Sequence, residues 1–344
     1  MAGIGFELRR LLQRDTLLHT TGAYLYAAVI GSGAWVLSIV GMLLIGLLSA
    51  PLVAPAGQVT QFQVSITWII AGSLILTGGL QLSLTRYVAD RSFERDTRPI
   101  LPNLHGSLGL VWALVAGIGL PLLPWLFPAQ DALFRLLFLL AFGEMCSIWL
   151  LASLLSGLRR YRAVVGAFAL GYGSTVLLAL GWRDFGLNGL LAGFVVGHGL
   201  MLLALWALLL ASYPLPQLVS FDLLRRGRFY PSLLLGGLVF NLAVWADKLV
   251  FWFAADTGAP VIGQLRASAL YDLPVSLAYL SVIPGMAIFL VRIETDFAEH
   301  HRRFYDAVRE GASLHQIREA KAGMVLSARQ GLEEIAKVQG LAVL

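Results

Sequence analysis

Apolar residues run through this chain in blocks, separated by short polar segments, with no strand-like alternation of apolar and polar positions. Blocks of about 20 residues recur, the length at which an α-helix crosses a hydrocarbon core of about 30 Å. Backbone N–H and C=O groups find no water inside lipid, so such blocks have to be helices. Eight are expected, over residues 22–50, 61–85, 104–127, 133–156, 163–180, 189–211, 231–254 and 271–290. The second is diluted with Thr, Ser, Gln and Gly, and the fifth is short. The first is long enough to tilt or kink.

Special residues inside the blocks have packing or gating readings. Gly189, Gly193 and Gly197 form two successive small-xxx-small steps, which let helices approach closely in lipid or serve as a ligand-facing hinge. Pro274 and Pro284 lack a backbone donor and are candidate kinks in the eighth block, for static packing or for gating.

Composition agrees with the pattern. Hydrophobic residues make up 58% of 344 positions and charged residues only 13%, against roughly 25% charged in a soluble domain. A water-facing surface cannot absorb that deficit. The formal charge of +5 is spread in short clusters between apolar blocks, with neither a continuous basic face nor a nucleic-acid-binding module, so nucleic acid is not an expected partner. The lone Cys146 lies in an apolar block and reads as a packing residue; one cysteine forms no intramolecular disulfide. Arg9, Arg10 and Arg14, interspersed with Glu7 and Asp15, make the opening a cytoplasmic lead-in rather than a cleaved signal peptide.

The loops set an orientation. The lead and loops 86–103, 157–162 and 212–230 carry thirteen Arg residues, whereas the alternating loops 51–60, 128–132, 181–188 and 255–270 carry only Arg183 and Arg266. Retention of positive charge on the cytoplasmic side places the N-terminus inside a bacterial inner membrane. Arg135, at the start of the fourth block, is the local exception and can snorkel to the interface.

The expected fold is therefore an all-α polytopic membrane protein. Its parts are a cytoplasmic amphipathic lead (1–21), a six-helix N-terminal lobe (22–211), a basic inter-lobe connection (212–230), two helices of a second lobe (231–290) and a cytoplasmic polar helical segment (291–344). An irregular apolar stripe in that last segment suits a connecting or membrane-surface helix.

Intramembrane polar residues are the candidates for chemistry. Asp247 and Lys248 interrupt the apolar run "NLAVWADKLVFWF". Exposure of either charge to lipid costs on the order of 3 kcal/mol, so each calls for a buried partner or a wet cavity. Asn241, Trp245, Lys248 and Trp252 recur at three- or four-residue intervals and can share one helical face, where Lys can meet aromatic rings or the rings can stack on a sugar. Glu144 and Asp272 are further carboxylates able to pair structurally, line a substrate path or bind a cation, and His198 reads as a satisfied packing residue. The chain has no HExxH zinc signature and no Walker A sequence, so no metal, cofactor or enzymatic activity is expected.

Several segments together resemble the PelG family of Pel exopolysaccharide transporters, relatives of the polysaccharide flippases and the wider MOP superfamily. They include "MAGIGFELRRLL", "SGAWVLSIVG", "GGLQLSLTRYVADRSFERD", "LLSGLRRYRAV", "NLAVWADKLVFWF" and "YDLPVSLAYLSVIPGMAIFLVRIETDFAEHHRRFYDAVREG". The resemblance implies a flippase-like helical bundle of two six-helix lobes, here a complete first lobe and two helices of a second, with four further crossings in a full-length relative. It implies export of an amino-sugar-rich polysaccharide for biofilm matrix, with PelD, PelE and PelF-like proteins as partners. On it, Glu144, Trp245, Asp247, Lys248, Trp252 and Asp272 are substrate-path candidates. Two other roles remain open: a non-transporting scaffold of the polysaccharide complex, and a flippase for a lipid-linked glycan.

Overall fold

The computed structural model describes residues 38–49, 57–155, 161–225 and 227–343 together with positions 22, 24 and 27, with 161 and 162 described by backbone alone. The expected lead, 1–21, and about half of the first expected span lie outside the described residues. The described chain is helical almost throughout. Its elements are α1 (residues 38–49), α2 (Gly57–Phe93), α3 (Ile100–Leu126), α4 (Ala132–Leu155), α5 (Tyr161–Gly181), α6 (Gly186–Leu210), α7 (Pro231–Phe253), a hairpin of β1 (Ala259–Ile262) and β2 (Leu265–Ala267), α8 (Asp272–Ser281), α9 (Ile283–Arg292), α10 (Ala298–Arg309) and α11 (Leu314–Val343). Among the described residues seven helical runs are long and apolar enough to cross a membrane, namely α2 to α7 and the run Asp272–Arg309 that α8 to α10 make up, and α1 is a shorter apolar helix.

The diluted second block forms the longest of these helices before the hairpin. Its polar side chains bond back to their own backbone: Ser65 Oγ donates to the Gln61 carbonyl at 2.7 Å, Thr77 Oγ1 to Ser73 at 2.7 Å and Ser83 Oγ to Gly79 at 2.9 Å. Hydroxyls satisfied within the helix leave no unpaired polar group inside the block. α2 itself runs past the expected 61–85 to Gly57–Phe93, and its added C-terminal turns carry the Arg86–Asp90 ion pair four residues apart. The eighth block, expected as one span, is interrupted at Val282 between α8 and α9. Pro284 sits in the first turn of α9, where its missing N–H is tolerated, and Pro274 lies likewise in the first turn of α8.

Two compact units make up the chain, one of Leu37–Leu158 and Arg162–Leu273, the other containing Pro274–Leu344. In the first, α4 packs between α2 and α6, while α7 runs against α2. The α2–α7 crossing is a glycine contact: a Cβ on Gly237 would lie closer than 3 Å to the backbone of Gly78 and Gly79, and one on Gly79 would meet the Leu234 carbonyl. Backbones that close gain dispersion contacts, the main glue between helices where lipid replaces water.

The connection 212–230 is pinned to the ends of α2 and α3. Tyr87 Oη donates to Asp222 at 2.9 Å, Asn103 Nδ2 donates to Tyr87 Oη at 3.0 Å, and Asn103 Oδ1 accepts the Leu223 N–H at 2.8 Å. Arg228 and Arg225 pair with the same Asp222 carboxylate. At the opposite end, Arg135 donates through Nε to the Phe127 carbonyl at 3.0 Å and through Nη2 to Phe127 and Pro128 at 2.8 and 3.2 Å. A cation on the free carbonyls that follow α3 satisfies both the charge and the helix end.

The second unit is tied by Arg292, which bridges Glu334 at 2.5 and 2.7 Å and also pairs with Asp296. Gly311, with φ 69°, turns the chain between α10 and α11, and Ser313 with Gln316 forms a reciprocal capping box at the start of α11.

The glycine contact yields a test with an internal control. Gly237→Ala is expected to lower stability in detergent by about 1–3 kcal/mol through overpacking. Gly236, which has open space where a Cβ would go, should accept Ala without loss. Thermal unfolding followed by size-exclusion chromatography compares the two.

Candidate functional site

The polar residues of α7 meet the segment that follows the hairpin. A helix repeat of 3.6 residues puts Trp245, Lys248 and Trp252 on one face, and within α7 only Gly237, Lys248 and Trp252 are buried. Trp252, 1% exposed, lies against Trp68 of α2 with ring centroids 4.7 Å apart, and its Nε1 donates to Asp272 Oδ1 at 2.8 Å. The Ser268 N–H donates to the other Asp272 oxygen at 2.9 Å. Trp245 stands 6.3 Å from Trp252 and carries the Lys248 ammonium 5.1 Å from its ring centroid.

Asp247 occupies the neighbouring face. Tyr271 Oη donates to its Oδ2 at 2.7 Å, while Lys248 Nζ reaches the same carboxylate only at 3.3–3.4 Å. Consecutive residues on a helix diverge by about 100°, so the long ion pair follows from the backbone. Tyr271 is held by stacking on Phe251, with centroids 3.9 Å apart and planes 6° from parallel. The Asp247 side chain remains 38% exposed. It is no sealed internal ion pair.

The hairpin closes the end of α7. Arg266 donates through Nε to the Trp252 carbonyl at 2.7 Å and through Nη2 to the Gly258 carbonyl at 2.6 Å. Its own carbonyl accepts Trp68 Nε1 at 2.8 Å. At the hairpin tip, Gly263 takes φ 54°, and the Gln264 N–H donates to the Leu126 carbonyl at the end of α3 at 2.9 Å. A side chain at 263 would be strained by that φ and would run into the Leu126 carbonyl.

The structure thus brings Trp245, Asp247, Lys248, Trp252 and Asp272 into one linked cluster. Trp252 presents no open face to a sugar, because its ring is against Trp68 and it is buried. Glu144 stands elsewhere, on α4 facing Gly199 of α6, with Oε2 buried and without a hydrogen-bond partner among the described residues. His198 bonds through Nδ1 with the Phe194 carbonyl at 3.0 Å and Thr175 Oγ1 at 3.1 Å, and its ring stacks on Phe194. Gly189 lies against the Trp182 carbonyl, and Gly193 and Gly197 lie against the backbone of Ala179 and Thr175 in α5. Among the described residues no group of three His, Cys, Asp or Glu is placed to hold a metal ion.

Sequence reasoning missed Trp68 and the roles of Arg266 and Ser268. A signal existed for Arg266, one of only two cations in the charge-poor loops. Trp68 carried none, being one aromatic in an apolar block.

Arg266→Met should destabilise the protein by about 3–6 kcal/mol, since two charge-assisted hydrogen bonds at roughly 1.5–3 kcal/mol each are lost. Arg266→Lys, which keeps the charge but not the fork, should cost less. Thermal unfolding in detergent checks both values.

Three solved transporters share this architecture. A MATE protein crystallised in complex with Br-NRF is similar with a TM-score of 0.54 at 15% identity, covering 93% of this chain and 84% of that one. A MOP-superfamily transporter from Pyrococcus furiosus has a TM-score of 0.59 at 16% identity, covering 93% and 70%. An outward-facing multidrug-resistance MATE transporter of the same superfamily gives 0.57 at 16%, covering 93% and 70%. No curated protein matches the chain. Residues 1–344 match the family described as "PelG: Putative exopolysaccharide Exporter (EPS-E)". The chain is a multi-pass membrane protein with a MATE/MOP-type transporter fold and belongs to the PelG exopolysaccharide exporter family.

Proposed function

We propose that this protein exports a Pel-type, amino-sugar-rich exopolysaccharide across the bacterial inner membrane, as the membrane-spanning member of a synthesis–export complex with PelD, PelE and PelF-like proteins. The observation that carries the reading is the family match over residues 1–344, on a chain whose fold is that of MOP transporters. The asymmetry of Arg between alternate loops supports a cytoplasmic N-terminus and outward movement of polymer.

Within this reading, Asp247 supplies negative charge to the path. Its half-exposed carboxylate, positioned by Tyr271, is suited to a cationic amino sugar. An isolated charge facing hydrocarbon would cost on the order of 3 kcal/mol, so exposure at this depth favours a hydrated route. Lys248 and Asp272 act beside it, Lys248 over Trp245 and Asp272 as the acceptor that orients Trp252.

Asp247→Asn preserves size and hydrogen bonding while removing the charge. At matched membrane abundance it should cut secreted polymer about tenfold, the equivalent of about 1.4 kcal/mol. Secretion equal to the parent rejects the role of Asp247. Polymer translocation into vesicles holding the protein with its partners tests export itself, and its absence there would favour a scaffold.

A further inference from the structure

A second polar site lies away from the α7 cluster's contacts, within the same compact unit. A cleft of about 480 Å³ opens where α2, α4 and α6 begin. That volume falls in the range of about 300–1,000 Å³ typical of small-molecule pockets. Its chemistry comes from Gln58, Gln61, Gln130, Asp131, Asn188 and Phe185. None of these was singled out by the sequence, and the export reading does not use them.

Three of these residues are held in place by bonds that join helix starts. Gln58 Oε1 accepts the Leu187 N–H at 3.0 Å, closing a free donor in the first turn of α6. Gly186, at φ 63°, permits that approach, because a Cβ there would collide with the same amide oxygen. Asp131 caps α4 through the Phe134 N–H at 2.9 Å, and its second oxygen accepts Asn188 Nδ2 at 2.9 Å. An ionised carboxylate has about four acceptor positions, so each Asp131 oxygen keeps capacity for a ligand.

The other residues supply open valences. Among the described residues the side-chain amides of Gln61 and Gln130 make no hydrogen bond, although both line the cleft. Each offers a donor and an acceptor a fixed short distance apart, which matches a pair of neighbouring sugar hydroxyls. Phe185 is 76% exposed. An aromatic face beside planar amides suits the C–H face of a pyranose ring. Lys and Arg are absent from the lining, and Asp131 leaves it with one negative charge. A cationic sugar is favoured there and an anionic one repelled.

We propose that this cleft is a saccharide-binding site that takes uncharged and cationic sugars and rejects anionic ones. The inference rests on the export reading for its biological use, contacting polymer at the end of the bundle bounded by the charge-poor loops. Its chemistry can be measured without export.

The test is calorimetric titration of the purified full chain in detergent with three probes: an N-acetylglucosamine tetramer, a glucosamine tetramer and a tetragalacturonate. The first two should bind saturably, the glucosamine tetramer more tightly, and the third should not bind. Gln61→Ala with Phe185→Ala should weaken both by tenfold or more. Asp131→Asn, which can still cap α4, should erase the preference for the cationic probe while keeping the neutral one. Absence of saturable binding by the parent, equal binding of all three probes, or unchanged affinity in a double variant with parental size-exclusion behaviour overturns the site. Binding with these specificities in a chain that moves no polymer in vesicles upholds the site and removes the export reading instead.

Discussion

The Arg266 guanidinium, on the Trp252 carbonyl at the end of α7 and the Gly258 carbonyl of the turn beyond it, is the interaction on which the candidate site depends. Carbonyls at a helix end have no partner in their own helix, and lipid offers none. Arg266 supplies donors and is itself aimed by the hairpin, whose tip rests on the last carbonyl of α3. The same residue lends its backbone carbonyl to Trp68, so the ring against Trp252 is registered to the helix end. Asp272 then receives Trp252 on one side and Ser268 on the other. The hairpin sets the end of the helix, and the helix end sets the aromatic pair and the carboxylate beside it.

The same economy recurs around the unit. Arg135 closes the end of α3, Asp131 the start of α4 and Gln58 the start of α6. At the other end, Asp222 gathers Tyr87, Arg225 and Arg228, while Asn103 holds the Leu223 N–H. Helix centres, by contrast, meet through small residues. Gly78 and Gly79 against Gly237, and Gly193 and Gly197 against α5, bring backbones together where side chains would separate them. Rigid helices closed at their ends by specific side chains suit a transporter whose parts move as bodies.

Much of the fold was legible because lipid enforces it. Block lengths located the helices described by the structure to within a few residues at most ends, and the charges interrupting the apolar run "NLAVWADKLVFWF" marked the part of α7 that buries Lys248 and Trp252. Helical spacing also placed Trp245, Lys248 and Trp252 on one face. The extension of α2 was harder to see, since its added turns carry Arg86, Asp90 and Arg91, which hydropathy scores against a membrane helix even where Arg86 and Asp90 pair across one turn. The break at Val282 had Pro284 as its mark, but a proline in a helical run signals a boundary or a kink without choosing between them. The two-stranded hairpin went unseen because seven strand residues between helices carry little pattern.

By itself the sequence determined that this is a helical membrane protein of the PelG family, because hydrophobic length and family-specific polar segments are one-dimensional properties. The tertiary structure alone decided which polar groups meet. Trp68 and Arg266 are 198 positions apart, and Gln58 and Leu187 are 129 apart. Hydrogen bonds act over about 3 Å of space regardless of chain separation, so such partnerships exist only once the helices have packed.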